Sequence, residues 1–156
     1  MRSVADTDFL SAFIKINKVE LIYEALDADK IYITKAVFEE IAKAPFFYDF
    51  KRQMERIELV VLDRLPENMQ STIFGKGELE SITYALETNS VLLTNDKKAG
   101  EFAENLGVRV LDIVSFLLLC RQKDLLNKND IEHIINLLKK YDYMEFGQEQ
   151  KRLLLE

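Results

Sequence analysis

One cysteine, one histidine, two prolines, five glycines and no tryptophan occur in 156 residues. The single Cys120 has no partner for an internal disulfide, and the single His133 excludes a zinc site built from several His and Cys ligands. A Ser-His-Asp mechanism would have only that one candidate base. Scarce glycine and proline argue against a many-turned all-β fold and favour long helices. No apolar run approaches the roughly 18 residues of a membrane span, so no membrane partner is expected. Asp6 and Asp8 stand where a signal peptide needs an apolar stretch, which points to a reducing, cytoplasmic setting. Cations are also short: 27 acids against 21 bases give a net charge of −6. Bulk charge therefore cannot carry binding to nucleic acid or to an anionic membrane.

What is present is a globular composition, 48% hydrophobic and 31% charged. The length suits one domain over residues 1–156, long enough to bury a core without staples. Strand-like and helix-like segments alternate. Ser3–Asp6 is short and extended, and Phe9–Leu26 has helical periodicity, as two helices meeting near Asn17. Ile31–Ile33 reads as a strand with Thr34 as N-cap. Lys35–Lys43 reads as a helix ended by Pro45, and Phe46–Met54 as another. Ile57–Leu62 (IELVVL) is the clearest strand. Gly75-Lys76-Gly77, too short for a phosphate loop, reads as a flexible entry to a helix over Glu78–Glu87. Ser90–Thr94 and Arg109–Leu111 read as strands around a helix at Lys97–Leu106. Further helices are expected at Ile113–Arg121, Asp130–Lys140 and Gln148–Leu155. Strands separated by helices imply parallel βαβ units and a three-layer α/β/α fold of four or five strands.

In such folds ligands bind beyond the carboxyl ends of the strands, near a topological switch point. Four acids fall there. Asp6 ends the first strand and Asp96 ends the one at Val91–Thr94. Helical phase, about 100° per residue, selects the other two. Glu40 borders the face made by Val37, Ile41 and Ala44, whereas Glu39 points away from it. Glu78 shares the face of Leu79, Ile82, Ala85 and Leu86, whereas Glu80 lies opposite. Each acid also has an ordinary structural use. Asp96 and Asp8 are placed as N-caps, Asp6 as a turn residue, Glu78 as a first-turn complement to the helix dipole and Glu40 as a snorkelling edge residue. The combination weighs more, because four separate segments deliver acids to one end of one sheet.

Carboxylates about 4 Å apart repel by roughly 1–4 kcal/mol per pair at surface-like dielectric. Such a cluster takes up protons or binds a cation. All-oxygen ligation selects Mg²⁺ or Mn²⁺ over zinc, and such an ion can activate water for attack on a phosphodiester. No protein nucleophile is then required.

The same residues resemble the PIN-domain family of metal-dependent nucleases. VADTDFLSAF is similar to that family's opening strand and Asp-Thr-Asn-x-Leu motif, with Asp8 in place of the usual Asn. IYITKAVFEEIAKAP resembles its second strand and helix, carrying the second acid as Glu40. GKGELESITYALETNSVLLTNDKKAGEFAENLGVRVLD resembles the Gly-Glu variant of the third motif, then the Thr-x-Asp motif and the last strand. Glu78, where many members have Asp, takes the third acidic position and Asp96 the fourth. The resemblance covers about residues 1–118, with a helical extension over about 119–156 similar to that of a bacterial and archaeal subgroup. It implies a sheet ordered 3-2-1-4-5 and metal ligation by Asp6, Glu40, Glu78 and Asp96. Thr7, Asp8 and Thr94 would support them. It implies RNA as substrate and commonly a homodimer. Many small members are toxins of type II toxin–antitoxin modules, so the implication extends to an antitoxin partner.

Two other classes compete. Asp6-Thr7-Asp8 after a strand suggests a haloacid-dehalogenase-like phosphatase, but Leu10 occupies the Thr position of that family's motif. A non-catalytic binding module of the same fold would not need all four acids. Lys35, Lys76, Lys97 and Lys98 sit near the acid-bearing motifs and could hold RNA phosphates, with solvated surface as the alternative. Cys120 follows an almost wholly apolar helix and reads as core. His133 reads as surface. Leu126, Ile131, Ile134, Ile135, Leu137, Leu138, Tyr141, Tyr143 and Leu153–Leu155 exceed what one helical face needs, which suggests a dimer or partner surface or packing across the sheet.

Overall fold

The computed structural model describes residues 2–70 and 73–156. In chain order the elements are β1 (Ser3–Ala5), α1 (Thr7–Lys15), α2 (Glu20–Leu26), β2 (Ile31–Thr34), α3 (Lys35–Ala42), α4 (Phe47–Gln53), β3 (Ile57–Val60) and α5 (Glu67–Gln70). There follow α6 (Lys76–Thr88), β4 (Val91–Leu93), α7 (Lys97–Asn105), β5 (Val110–Leu111), α8 (Ile113–Gln122), α9 (Lys128–Asp142) and α10 (Gln148–Leu155). Asn17 and Asn89 take left-handed backbone, with φ of 58° and 53°. Asparagine tolerates that conformation, which explains where α1 gives way to α2 and where α6 stops.

The five strands form one sheet in the order β3-β2-β1-β4-β5, and every pairing is parallel. This is the expected 3-2-1-4-5 order. Its inner strands alternate between two cores, as the two-residue period of a strand requires. Ala5, Ile31, Ile33, Val91 and Leu93 face a large core with α1, α2, α8, α9 and α10. Val4 and Leu92 face a smaller one closed by Leu79, Ile82 and Ala85 of α6 and Ala99 and Ala103 of α7. Phe9, Phe13 and Phe116 centre the larger core, with ring centroids 5.2–5.6 Å apart.

The C-terminal helices use most of their apolar surplus internally. Ile131, Ile134, Ile135, Leu138 and Leu154 are buried, while Tyr141, Tyr143 and Leu153 remain exposed. Arg121 donates to the carbonyls of Leu154 and Glu156 at 2.8 and 2.7 Å, satisfying the end of α10. Cys120 is buried and its thiol is pushed up to about 12 by that burial, as a core residue should be. His133 is exposed.

Four sequence expectations change. IELVVL pairs only as far as Val60, two residues short of its expected end, and at the sheet edge that the expected order gives it Leu59 and Val61 are exposed. The short α5 had no periodicity to announce it. Gly77 is not in a flexible entry but inside α6, whose N-cap is Gly75. Leu86, expected on the buried face of that helix, is 43% exposed, whereas Glu80, expected opposite, is 7% exposed. The reason is that α6 packs against both the sheet and α3, so its buried side is broad and its exposed strip narrow.

Candidate active site

β1 and β4 run side by side in the register Ser3↔Val91, Val4↔Leu92, Ala5↔Leu93. One step further sets Asp6 beside Thr94, where the Asp6 N–H donates to the Leu93 carbonyl at 2.9 Å. Asp6, not Asp8, is the N-cap of α1, its Oδ1 accepting the Thr7 N–H at 2.8 Å. Asp8 lies in the first turn of that helix, its Oδ1 accepting from Phe9 N–H. Neither acid is a plain turn residue. Thr94, fully enclosed, donates its hydroxyl to Asp6 Oδ2 at 3.2 Å and accepts the Asp96 N–H at 3.3 Å. Asp96 caps α7 as expected, its Oδ1 accepting Ala99 N–H at 2.9 Å.

The two glutamates arrive from the helices flanking the neighbouring strand. Thr34 ends β2 and caps α3, and Glu40 projects from that helix's last turn. It is exposed rather than tucked against the core, but Thr7 Oγ1 donates to its Oε2 at 2.5 Å, which draws it over the start of α1. A Cβ on Gly77 would collide with the Glu40 carboxylate, so glycine is what lets the first turn of α6 approach it. Glu78 follows one residue later and is partly buried. Sequence reasoning missed Gly77; the signal was a glycine one residue before the acid, inside a helical pattern.

These carboxylates perturb one another. Asp6 is pushed up to about 7 by burial first, then by Asp8, Glu78 and Glu40, against the opposing Thr7 amide. Glu78 is raised by its partial burial and by Asp96, Asp8 and Glu40. Asp8 is raised by withdrawal from water and by Asp96, with the Asn95 and Phe9 amides pulling the other way. Among the described residues none of the five is ion-paired to Lys, Arg or His. Carboxylate oxygens gathered without a counter-cation suit a hard divalent ion. The side chains are not a closed cage as they stand. Among the described residues no group of three or more converges tightly enough to hold an ion. Glu40 Oε2 is engaged with Thr7 and Asp96 Oδ1 with its own helix.

Lys35, Lys76, Lys97 and Lys98 are exposed at the first residues of α3, α6 and α7. The helix dipole gives no support to a cation there, and of these four described lysines only Lys35 is within ion-pair distance of an acid, Glu39 at 4.0 Å. A cavity of about 490 Å³ adjoins Asp96; its lining includes Glu101, Glu104, Asp112 and Glu145, with Lys97 as the one cation among its lining residues. That excess of acids does not favour phosphate. Leu10 is wholly buried inside α1, so no Thr-bearing phosphatase loop follows β1.

A family model described as PIN domain matches residues 2–146. The chain belongs to the PIN-domain family. PIN domains are generally nucleases that commonly use divalent metals. The chain is similar to a solved PilT N-terminus domain protein from the hyperthermophilic archaeon Sulfolobus solfataricus P2, with 20% identity and a TM-score of 0.51. The match covers 95% of this chain and 99% of that one, and it shows the shared fold. No curated protein matches this PIN domain. No helix among its described residues is long and apolar enough to cross a membrane.

Proposed function

We propose that this PIN domain is a divalent-metal-dependent endoribonuclease, with Asp6, Glu40, Glu78 and Asp96 as ligands of Mg²⁺ or Mn²⁺. The observation that carries the reading is the gathering of five uncompensated carboxylates at one end of the sheet, with Asp6 pushed up to about 7. An ion held there would lower the pKa of water and offset charge developing on the leaving oxygen of a phosphodiester. The protein's own part is positional. Thr94 holds Asp6 Oδ2, and Thr7 holds Glu40 Oε2. Asp8 adds negative charge beside Asp6 and Asp96. The rim lysines Lys35, Lys76, Lys97 and Lys98 attract the RNA backbone that the acids alone would repel. RNA reaches the site by these local charges, because the net charge of −6 opposes it.

The decisive experiment is cleavage of single-stranded RNA with Mg²⁺ or Mn²⁺, in the presence and absence of chelator, by wild type and Asp6→Asn. Cleavage that persists in excess chelator overturns the metal mechanism. Metal binding without cleavage supports the alternative of a non-catalytic binding module. The proposal extends to the chain as one PIN-like domain acting in the cytoplasm, as a homodimer, and as the toxin of a type II module. Co-purification with the product of the adjacent gene tests the antitoxin partner. Light scattering tests the dimer, for which Tyr141, Tyr143 and Leu153 are the exposed residues left from the C-terminal surplus. A clean monomer that carries nothing through purification removes both.

A further inference from the structure

Glu80 is a carboxylate with 7% exposure, buried between α6 and α3. Burying such a group is costly unless it is hydrogen-bonded. Its Oε1 accepts the backbone N–H of Ala36 at 3.0 Å. Ala36 is the second residue of α3, and its N–H is one of the first-turn donors that the helix itself leaves unsatisfied. The next donor, Val37 N–H, goes to the Thr34 hydroxyl at 3.4 Å. A buried acid at a helix N-terminus also meets the favourable end of the helix dipole. That bond ties Glu80 to the start of α3, about one turn away from Glu40 in the same helix.

Its position in the two helices gives it leverage. Ala36 is four residues, about one turn, before Glu40, and Gly77 is three residues before Glu80. The same pair of helices is therefore joined twice, by Glu80 on Ala36 and by the close approach of Gly77 to the Glu40 carboxylate. One helix carries Glu40 and the other Glu78. The seam thus joins the two elements that carry those acids.

We infer that Glu80 is a positioning residue that locks α3 to α6 and so fixes the separation of Glu40 and Glu78. This rests on the reading of those two acids as metal ligands. What Glu80 needs for the role is an acceptor at the right reach, not a charge at the site.

The test uses the full chain and three variants, Glu80→Gln, Glu80→Leu and Glu80→Asp, in calorimetric titration with Mn²⁺. Exchange of the Ala36 amide, followed by NMR without metal, is the second readout. Glu80→Gln keeps an acceptor and is expected to hold Mn²⁺ affinity within about threefold of wild type. Glu80→Leu, similar in bulk, is expected to melt cooperatively, release the Ala36 amide to exchange at least about tenfold faster and bind Mn²⁺ about tenfold more weakly. Glu80→Asp keeps the charge but falls short of Ala36, so it is expected to behave like Glu80→Leu and stands in for it if the leucine variant does not fold. Wild-type Mn²⁺ affinity in the leucine or aspartate variant, with the amide released, overturns the positioning role. A Glu80→Gln variant as defective as the others also overturns it and makes Glu80 a ligand. Absence of Mn²⁺ binding in wild type instead overturns the metal reading of Glu40 and Glu78, and the positioning role with it, while the Ala36 exchange still reports the contact.

Discussion

The two ends of the sheet treat charge in opposite ways. At the end where the strands begin, acids have cations: Lys30 pairs with Glu58 at 2.8 Å, Arg56 with Glu20 at 2.8 Å and Lys123 with Asp27 at 3.1 Å. Arg2 there lies 4.7 Å over the Tyr32 ring. At the end where the strands finish, Asp6, Asp8, Glu40, Glu78 and Asp96 share no cation within ion-pair distance among the described residues. The chain has lysines to spare near them, at the starts of α3, α6 and α7, yet they stand at the rim. An end with its charges paired contributes modestly to stability. An end with like charges crowded together costs stability, and a bound divalent ion would recover that cost.

The largest expected effects come from Asp6 and Asp96. Asp6→Asn and Asp96→Asn should each abolish Mn²⁺ binding and RNA cleavage while the fold persists, as calorimetry and circular dichroism would show. Asp6 also fixes a pH dependence. Its folded value of about 7 lies above the ordinary 3.8, so the unfolded chain releases this proton first. The favourable contribution of protonated Asp6 is complete below about pH 4 and is lost as pH rises through 7. Without metal, urea denaturation should show stability falling over that interval by an amount on the order of a few kcal/mol. The raised Glu78 and Asp8 act in the same direction. Asp6→Asn should flatten the slope. A wild type that gains stability from pH 4 to 7 without metal would contradict the uncompensated state of this end.

That end was legible in the sequence to the extent that position along a strand decides it. Asp6 and Asp96 follow short apolar runs directly, and parallel strands bring their carboxyl ends together whatever the side chains. The strand order came with the family resemblance. Helical phase served Glu40 and Glu78 less well. It treats a helix as having one buried face, which holds for α9, where Ile131, Ile134, Ile135 and Leu138 form a stripe. It fails for α6, which packs on both the sheet and α3 and so buries Glu80, Ser81 and Thr83 as well as Leu79 and Ile82. Hydrophobicity alone also made IELVVL two residues too long. An apolar run shows that a segment can pair, not how many neighbours it will have, and this one has β2 on one side only. The glycine before Glu78 is visible in the sequence, but its contact with Glu40 joins distant segments, so the partner is not.

Glu40→Gln and Glu78→Gln rank next. Each removes one charge from the crowded end and should weaken Mn²⁺ binding by more than about tenfold, or 1.4 kcal/mol. Glu39, its side chain exposed and 4.0 Å from Lys35, is the control. Glu39→Gln should leave metal affinity and cleavage unchanged. Smaller still is the effect of Gly77→Ala. Alanine is favoured over glycine inside a helix by about 1 kcal/mol, and the atoms its Cβ meets are the far end of the flexible Glu40 side chain. The melting temperature should therefore hold or rise while Mn²⁺ affinity falls severalfold, because the Glu40 carboxylate is pushed aside. Loss of both together would mean that Gly77 serves the backbone of α6 and not the acid above it.

The smallest effect should come from the paired end. Arg56→Met removes a guanidinium 4.1 Å over the Tyr23 ring and its bond to Glu20, while keeping an apolar stem over the ring. Both partners in the ion pair are substantially exposed, with side chains 46% and 68% accessible, so water screens the loss. Together the two contacts contribute about 1 kcal/mol or less. The Tyr23 hydroxyl bonds the Arg56 carbonyl, which the substitution leaves in place. The central strands β1 and β4 have three residues each, so the two ends lie at least about 10 Å apart. That is near one Debye length at 0.1 M salt. A charge lost at one end should hardly be felt at the other. Arg56→Met should lower stability slightly in a urea melt and leave both Mn²⁺ titration and RNA cleavage at wild-type levels. A change in Mn²⁺ affinity as large as that in Glu78→Gln would mean that the ends are coupled, and that pairing at one of them is part of how the other binds its ion.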